Sequence, residues 1–298
     1  MMKKIHNKAN SITLGLYGGL GNQMFQYAFA RKLSIKKNVP LILDLYGFEY
    51  DSYYQRDFDL GNFNIKYDEI CSKQPLKFHF SRFIYKFPCF IWSKLFKFLI
   101  VENNFFYDFD NTNINYKSYI FGYWQNETYF NEIKEVIKDD FKLTTKMSLA
   151  NTKLLKEISQ NPNSVSIHVR RMHGLSSAGS LKDHQISKNS TLSIDYYRES
   201  VALILAKSPK AKFYIFSDNP KWTKKNLKFL SNAIFLKNDR GRDFEDMILM
   251  SKCYHHIIAN SSFSWWGAWL GHNSKKIVIA PPKLLYSPDI PAKWIILS

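Results

Sequence analysis

The sequence predicts an α/β protein of two domains, each built on a parallel sheet with crossover helices. Three observations point there. A glycine-rich turn near the start, "LYGGLGNQMFQYAFAR" from Leu16 to Arg31, joins a strand-like run to a helix-like one. In the second half, short apolar runs alternate with amphipathic segments, the pattern of parallel strands connected by helices. The 298 residues, 45% apolar and 16% aromatic, suffice for two cores of ordinary size.

The first element is Ile12-Thr-Leu-Gly-Leu16, a short buried strand; after the turn, Phe25, Ala28, Phe29 and Leu33 recur at helical spacing. The turn therefore sits at a helix N-terminus, where the first amides lack intrahelical partners and the macrodipole favours anions. Gly18, Gly19 and Gly21 suit a backbone that approaches a phosphate closely. Leu41-Ile-Leu-Asp-Leu45 follows as a second strand, and Asp44 stands about where a dinucleotide fingerprint places its ribose-binding acid. Against that reading, Met24 replaces the third fingerprint glycine and the amides Asn22 and Gln23 occupy the turn. A glycine turn without a ligand is a further reading. So is a leader peptide, because Met1 to His6 is basic and Ala28-Phe-Ala30 resembles a cleavage site, although glycines and amides interrupt the apolar stretch between them.

From about Tyr46 to Tyr129 the chain is aromatic and Asn-rich, without clear periodicity. Within it Lys86 to Val101, "KFPCFIWSKLFKFLIV", is the nearest approach to a membrane span, but Lys94 and Lys97 make it a basic amphipathic helix. Such a helix either faces a core or docks on an anionic membrane surface. Glu132 to Phe141 and Leu149 to Ile158 read as helices, and Asn161-Pro162 marks the boundary between domains 1–160 and 161–298.

In the second domain the strand-like runs are Val165–Val169, Phe213–Phe216, Ala233–Leu236, His256–Ala259 and Ile277–Ala280. Helical spacing covers Asp195–Ala206, Asp243–Lys252 and Phe263–Leu270. Ligands in such sheets bind beyond the carboxyl ends of the strands. There stand Arg170 and Arg171, then Ser217, Asp218 and Asn219, then Asn260, Ser261, Ser262 and Phe263 before Trp265, Trp266 and Trp269. Period two puts Ser166, His168 and Arg170 on one strand face and Arg171 on the other. Singly these residues have ordinary readings: a solvated arginine pair, a serine cap, a tryptophan core, a satisfied core histidine. Gathered at one end of one sheet they suit a phosphate-bearing ligand, for which arginine supplies a planar fork of donors and serines share helix amides.

A net charge of +17 favours acidic partners. Lysines and arginines are scattered, however, and no RNA-binding aromatic signature, zinc-finger spacing or basic zipper is present, so no nucleic-acid partner is expected. Three cysteines, Cys71, Cys89 and Cys253, odd in number and never at metal-ligand spacing, fit a reducing compartment.

The strings "GGLGNQMFQYAFARKL", "VSIHVRR", "FSDN" and "IIANSSFSWWGAWL" resemble the bacterial alpha-1,2-fucosyltransferase family. The resemblance implies a GT-B-like fold, with two facing Rossmann-like domains and the active site in the cleft. The N-terminal domain is then on the acceptor side and the C-terminal domain binds GDP-fucose. It implies inverting transfer of fucose to the 2-hydroxyl of a galactose-terminated glycan such as an O-antigen, with no cofactor and no metal. The implied location is cytoplasmic, with peripheral association on the inner face of the bacterial cytoplasmic membrane if the protein docks there.

By the same resemblance Gly21, Asn22 and Gln23 reach the diphosphate and fucose. His168, Arg170 and Arg171 match the family's His-x-Arg-Arg, in which arginine holds the pyrophosphate. Ser217 and Asp218 line the same strand ends, and Ser261, Ser262 and Phe263 match the phosphate-side loop. Asp246 is the implied acid near the guanosine, with Asp243 and Glu245 as neighbouring alternatives. Arg170 is the group expected to meet charge growing on the leaving phosphate. The family continues with Gly-Asp-Tyr where this chain has Met172-His173-Gly174, so His173, with an ordinary pKa near 6.5, stands as a replacement hydrogen-bonding group or base. The stretch Gly174 to Ile194, with Asp183 and His184, is the candidate acceptor region. Two alternatives stay open. Asp57-Phe-Asp59 and Asp108-Phe-Asp110 have the Asp-x-Asp spacing of a metal-dependent transferase, and a basic carbohydrate or nucleic-acid binding module needs no catalysis at all.

Overall fold

The computed structural model describes residues 10–49, 56–71, 99–102, 118–171, 191–236, 241–282 and 290–297. The chain divides into two compact units, Met1–Ser52 with Arg56–Lys142, and Leu143–Ser298 with Tyr53–Gln55.

The first unit holds a five-stranded parallel sheet of β1 (Ile12–Gly15), β2 (Leu41–Asp44), β3 (Glu69–Cys71), β4 (Leu99–Val101) and β5 (Ser118–Phe121), in the order β3-β2-β1-β5-β4. Helix α1 (Leu20–Lys37) covers it with Met24, Phe25, Ala28, Phe29 and Leu33, all buried, and Phe29 stacks on Trp124 at 4.0 Å. Lys36 and Lys37 lie in its last turn, where the helix dipole favours cations, and Asn38 ends it in the left-handed conformation (φ 51°). Two short helices, α2 (Tyr46–Glu49) and α3 (Lys134–Asp140), follow. The expected helix Lys86–Val101 ends differently: its last three residues, Leu-Ile-Val, form β4 beside β5, while 86–98 lie outside the described residues. Ile100 and Val101 are β-branched and suit the pleated surface better than a helix.

The second unit carries six parallel strands, β6 (Ser164–Val169), β7 (Lys212–Ser217), β8 (Ala233–Phe235), β9 (His255–Ile257), β10 (Val278–Ala280) and β11 (Ile295–Ile296). Their order is β11-β10-β9-β6-β7-β8. Counted from the unit's own first strand this is 3-2-1-4-5-6, the doubly wound order, which reverses between β6 and β9 and opens a crevice at their carboxyl ends. Every residue of β6 is buried, as a central strand covered on both faces requires.

One face packs Tyr196, Tyr197, Val201 and Ile204 of α5 (Ile194–Lys207) together with Leu227, which follows α6 (Pro220–Asn226). The other packs Ile158 of α4 (Leu149–Gln160) with Leu249 and Met250 of α7 (Asp243–Lys252). Helix α4 thus belongs to the second unit, and the division falls at 142/143 where Asn161-Pro162 suggested 160. The apolar stripe Leu154, Leu155 and Ile158 faces Tyr214 and Phe216 of the second sheet, a destination that a helix-breaking dipeptide does not reveal. In α8 (Ser262–Trp269), Trp265 and Trp266 are core residues, which disposes of the base-stacking reading for these two. A Cβ on Gly267 would lie 2.9 Å from Met250 Cβ, so the glycine is what lets α8 cross α7.

Candidate functional site

The crevice of the second unit is built by three adjacent strand ends. Because Val169 pairs with Ser217 across β6 and β7, the residues just beyond, Arg170 and Asp218, emerge side by side. Arg170 Nη1 lies 3.0 Å from Asp218 Oδ2, with side chains 28% and 15% exposed. The other oxygen, Asp218 Oδ1, accepts from the backbone N–H of Arg171 at 2.9 Å. One carboxylate therefore fixes both arginines: the side chain of one and the main chain of the other. Arg170 keeps the rest of its guanidinium donors without a hydrogen-bond partner among the described residues.

Arg171 turns the other way, as period two implies. Its guanidinium lies over the Trp222 ring at 4.0 Å and Nη1 donates to Leu192 O at 3.1 Å. It joins the end of β6 to the approach to α5 and to α6 as an anchor, while its Nε is buried without a hydrogen-bond partner among the described residues. Trp222 is a contributor the sequence reading missed, although Asn219-Pro220 is a helix-start signal and Asn219 does cap α6 by accepting from Trp222 N–H at 3.1 Å.

His168 is buried near the start of α8. Its ring lies 5.7 Å from that of Phe263, its carbonyl accepts from Tyr197 Oη at 3.2 Å, and Nδ1 is buried without a hydrogen-bond partner among the described residues. Burial, and secondarily the Arg170 charge, push its pKa down to about 3, so it is a neutral imidazole at physiological pH. A neutral imidazole can donate or accept one hydrogen bond at this crevice without adding charge. Beside it Ser261 caps α8, its Oγ accepting from Phe263 N–H at 3.3 Å, and Ser262 opens the helix.

Not every expected residue opens toward a ligand. Ser217 Oγ accepts from Asn219 N–H at 3.0 Å and lies 2.8 Å from Thr223 Oγ1, so it builds the turn. Among the acids of α7, Glu245 is buried and accepts from Ser148 N–H at 2.7 Å, from Asn151 Nδ2 and from Arg242. Burial alone would raise its pKa, yet these donors hold it below the ordinary carboxylate value. Glu245 is thus the structural acid of the three, and Asp246 beside it is half-buried. His173, with Met172, Asp183 and His184, lies outside the described residues.

In the first unit the glycine turn has the expected form: Gly18 has φ 79° and Gly19 caps α1. Gln23 departs from expectation. It is fully buried; Nε2 donates to Gly18 O and to Asp57 O, both at 2.8 Å, and Oε1 accepts from Asp59 N–H at 3.0 Å. Both ends of the amide staple the turn to the 57–59 segment, so Gln23 shapes the turn from beneath. The same bonds hold Asp57 and Asp59 in a coil and a 3₁₀ turn that follow directly on no strand among the described residues, and Asp108-Phe-Asp110 lies outside the described residues. Asn22 remains half-buried, its Oδ1 accepting from Gln125 Nε2 at 2.8 Å, and Gly21 is buried in the first turn of α1. Arg56 stands near Gly19, a cation at the turn that sequence spacing alone does not connect to it.

Asp44 cannot serve as a ribose-binding acid. It is 1% exposed, Oδ1 accepts from Tyr46 N–H and Oδ2 from Tyr119 Oη, each at 2.9 Å, and burial raises its pKa. The dinucleotide reading loses its second element, because the acid supports the sheet interior.

Residues 91–291 match glycosyl transferase family 11. Over 297 residues the chain is 34% identical to the alpha-1,2-colitosyltransferase of Escherichia coli, covering 94% of this chain and 96% of that one. It is also 34% identical over 291 residues to the O-antigen biosynthesis glycosyltransferase WbnK of Escherichia coli, covering 90% and 93%. Among solved structures it resembles the fucosyltransferase NodZ from Bradyrhizobium, at 14% identity and a TM-score of 0.52 over 92% of this chain and 95% of that one. NodZ alpha-1,6-fucosyltransferase soaked with GDP-fucose gives the same TM-score over 91% and 95%. The fold is that of GT-B-like glycosyltransferases.

Proposed function

The chain belongs to glycosyl transferase family 11, and on that basis we propose that it transfers fucose from GDP-fucose to the 2-hydroxyl of a terminal galactose on a surface glycan such as an O-antigen. The observation that carries this reading is the convergence of Arg170, Asp218, His168 and the Ser261–Phe263 helix start at the switch point of the second sheet. That end of a doubly wound sheet suits a nucleotide diphosphate. The second unit is assigned the donor, and the first, with its glycine turn, the acceptor side.

As the bond from the fucosyl carbon to phosphate oxygen breaks, negative charge grows on GDP. The open donors of Arg170, fixed in advance by Asp218, and the N-terminal end of α8 with its Ser261 and Ser262 hydroxyls then stabilise it where it develops. The acceptor hydroxyl adds to the fucosyl carbon from the opposite face and its proton leaves to a base, which inverts the configuration. His168, neutral and lacking an Nδ1 partner, is suited to hold a donor hydroxyl or phosphate rather than to carry charge. Arginine and the N-terminal end of α8 fill the place a metal would take in an Asp-x-Asp enzyme, so the proposed reaction is metal-independent.

The colitosyltransferase relative supports a second reading of the donor. Colitose is fucose without its 3-hydroxyl, and a site that hydrogen-bonds that hydroxyl rejects the analogue lacking it by about 10⁴ to 10⁵. Incubation with GDP-fucose, and in parallel with GDP-colitose, against galactose-terminated oligosaccharides, followed by linkage analysis, tests both. A 1,2-linked fucosyl product is the expected result. Transfer from the 3-deoxy donor alone selects the second reading, and transfer to no galactoside refutes the proposed acceptor.

A further inference from the structure

The layer of the second unit formed by α5 and α6 presents a face that the site chemistry does not use. Helix α6 buries Thr223, and Leu227 after it is buried too, which leaves Lys221, Lys224, Lys225 and Lys228 exposed on the outer side. None of these four lysines has an acidic partner among the described residues. Between residues 200 and 232 the sequence carries seven lysines and a single acid, Asp218, and that acid is committed to Arg170.

Apolar side chains stand among these cations. Phe229 is 40% exposed, and the Arg198 guanidinium of α5 lies 5.3 Å from its ring centroid, which sets that flank of α5 beside Phe229. By helical spacing Ala202 and Leu205 share this flank with Arg198, and Leu205 is 37% exposed. Of the exposed acids of the helix, Glu199 falls on the opposite flank with Leu203, while Asp195, in the first turn, lies on the same side as Arg198.

We propose that this face, Lys221 to Phe229 with Arg198 and Leu205, docks the second unit on the anionic surface of a phospholipid bilayer. Exposed lysines along α6 favour acidic headgroups, and the exposed Phe229 next to Lys228 gains by entering the boundary between headgroups and acyl chains. Nucleic acid is the other polyanion a lysine cluster attracts, but a phosphate backbone offers nothing to an exposed leucine. The face begins two residues beyond Asn219, so it adjoins the carboxyl edge of the sheet where Arg170 and Asp218 stand. It is independent of the Lys86–Val101 run and of any sugar specificity.

The test is co-sedimentation of the full chain with vesicles of phosphatidylcholine alone and of phosphatidylcholine mixed with phosphatidylglycerol. Binding to the mixed vesicles only, released as salt rises, is expected. With roughly five-fold in partitioning per lysine, the variant with Lys221, Lys224, Lys225 and Lys228 all changed to Gln should lose about 10²-fold or more. Phe229→Ser should lose a smaller factor that salt does not modulate. Circular dichroism and transfer to a soluble acceptor should be unchanged in both, since none of these residues lies in the proposed donor site. Equal binding to neutral vesicles, or undiminished binding by the four-lysine variant, overturns the proposal. So does a duplex DNA that displaces the protein from mixed vesicles at matched phosphate concentration.

Discussion

Replacing Asp218 by Asn removes one charge from the Arg170 pair and keeps an oxygen able to accept from Arg171 N–H. At 3.0 Å Coulomb's law with an effective dielectric near 20 gives on the order of 5 kcal/mol. Both side chains are partly solvated, 28% and 15% exposed, so desolvation and screening reduce the net to about 1–2 kcal/mol, above an exposed pair and below a buried one. Arg170→Ala removes a preorganised donor from the leaving group and should cost about 10² to 10³ in turnover. Asp218→Asn lets the guanidinium swing and should cost about ten-fold. The decisive measurement is the cycle, with GDP release from GDP-fucose in the presence of acceptor read for wild type, both single variants and the double. If Asp218 acts through Arg170, its replacement changes turnover less than two-fold once Arg170 is Ala, a coupling of about 1.4 kcal/mol. If the two losses simply multiply, the carboxylate touches the donor itself and its positioning role is refuted. Arg170→Lys should recover only part of the rate, because an ammonium keeps the charge and loses the fork.

Arg171→Ala should lower the denaturation midpoint by about 1–3 kcal/mol of stability, with a smaller turnover loss than Arg170→Ala, because the side chain holds Trp222 and Leu192 O; the opposite ranking would make Arg171 the phosphate ligand. Gly267→Ala should destabilise by about 1–3 kcal/mol in a thermal melt, since the new methyl meets Met250 Cβ at 2.9 Å. His168 and His256 both have folded pKa values depressed by burial, His168 to about 3. For a depressed histidine the unfolded chain takes up the proton first, so stability falls as pH drops below about 6.5 toward 3, with up to about 1.4 kcal/mol per pH unit from each. His256→Asn should flatten that slope in urea midpoints taken across the window, whatever it does to the absolute midpoint. Turnover should persist in EDTA; loss restored by Mn²⁺ or Mg²⁺ would favour the Asp-x-Asp reading.

Much of the fold was legible because a central parallel strand is apolar throughout and its crossover helices are not. The run Asp243–Lys252 is a helix over the expected residues, and the strands from Val165 to Ala280 stand within a residue or two of their apolar runs. The edges were not legible. In β3, Glu69 and Ile70 are exposed, and β11 is two residues long, so neither carries a burial signal. Gln23 and Asp44 misled for a common reason: a polar residue beside a glycine turn suggests a ligand, whereas here each satisfies buried polar groups from segments far away in the chain.

The same limit hid the most consequential contact. "VSIHVRR" and "FSDN" are separated by more than 40 residues, and each alone admits a bland reading. Register joins them: with His168 opposite Phe216 and Val169 opposite Ser217, the next step brings Arg170 to Asp218 without any loop having to choose a path. Asp218, in a string that itself resembles the family, thus holds both arginines from the end of the neighbouring strand. That carboxylate is placed by the register of six pairs of strand residues, from Ser164–Lys212 to Val169–Ser217, and the segment beyond Arg171 follows it in the chain. Changes in that following segment should then shift acceptor use while leaving donor turnover to water within a few fold, and donor turnover that collapses with them would mean that Asp218 is not sufficient to hold Arg170.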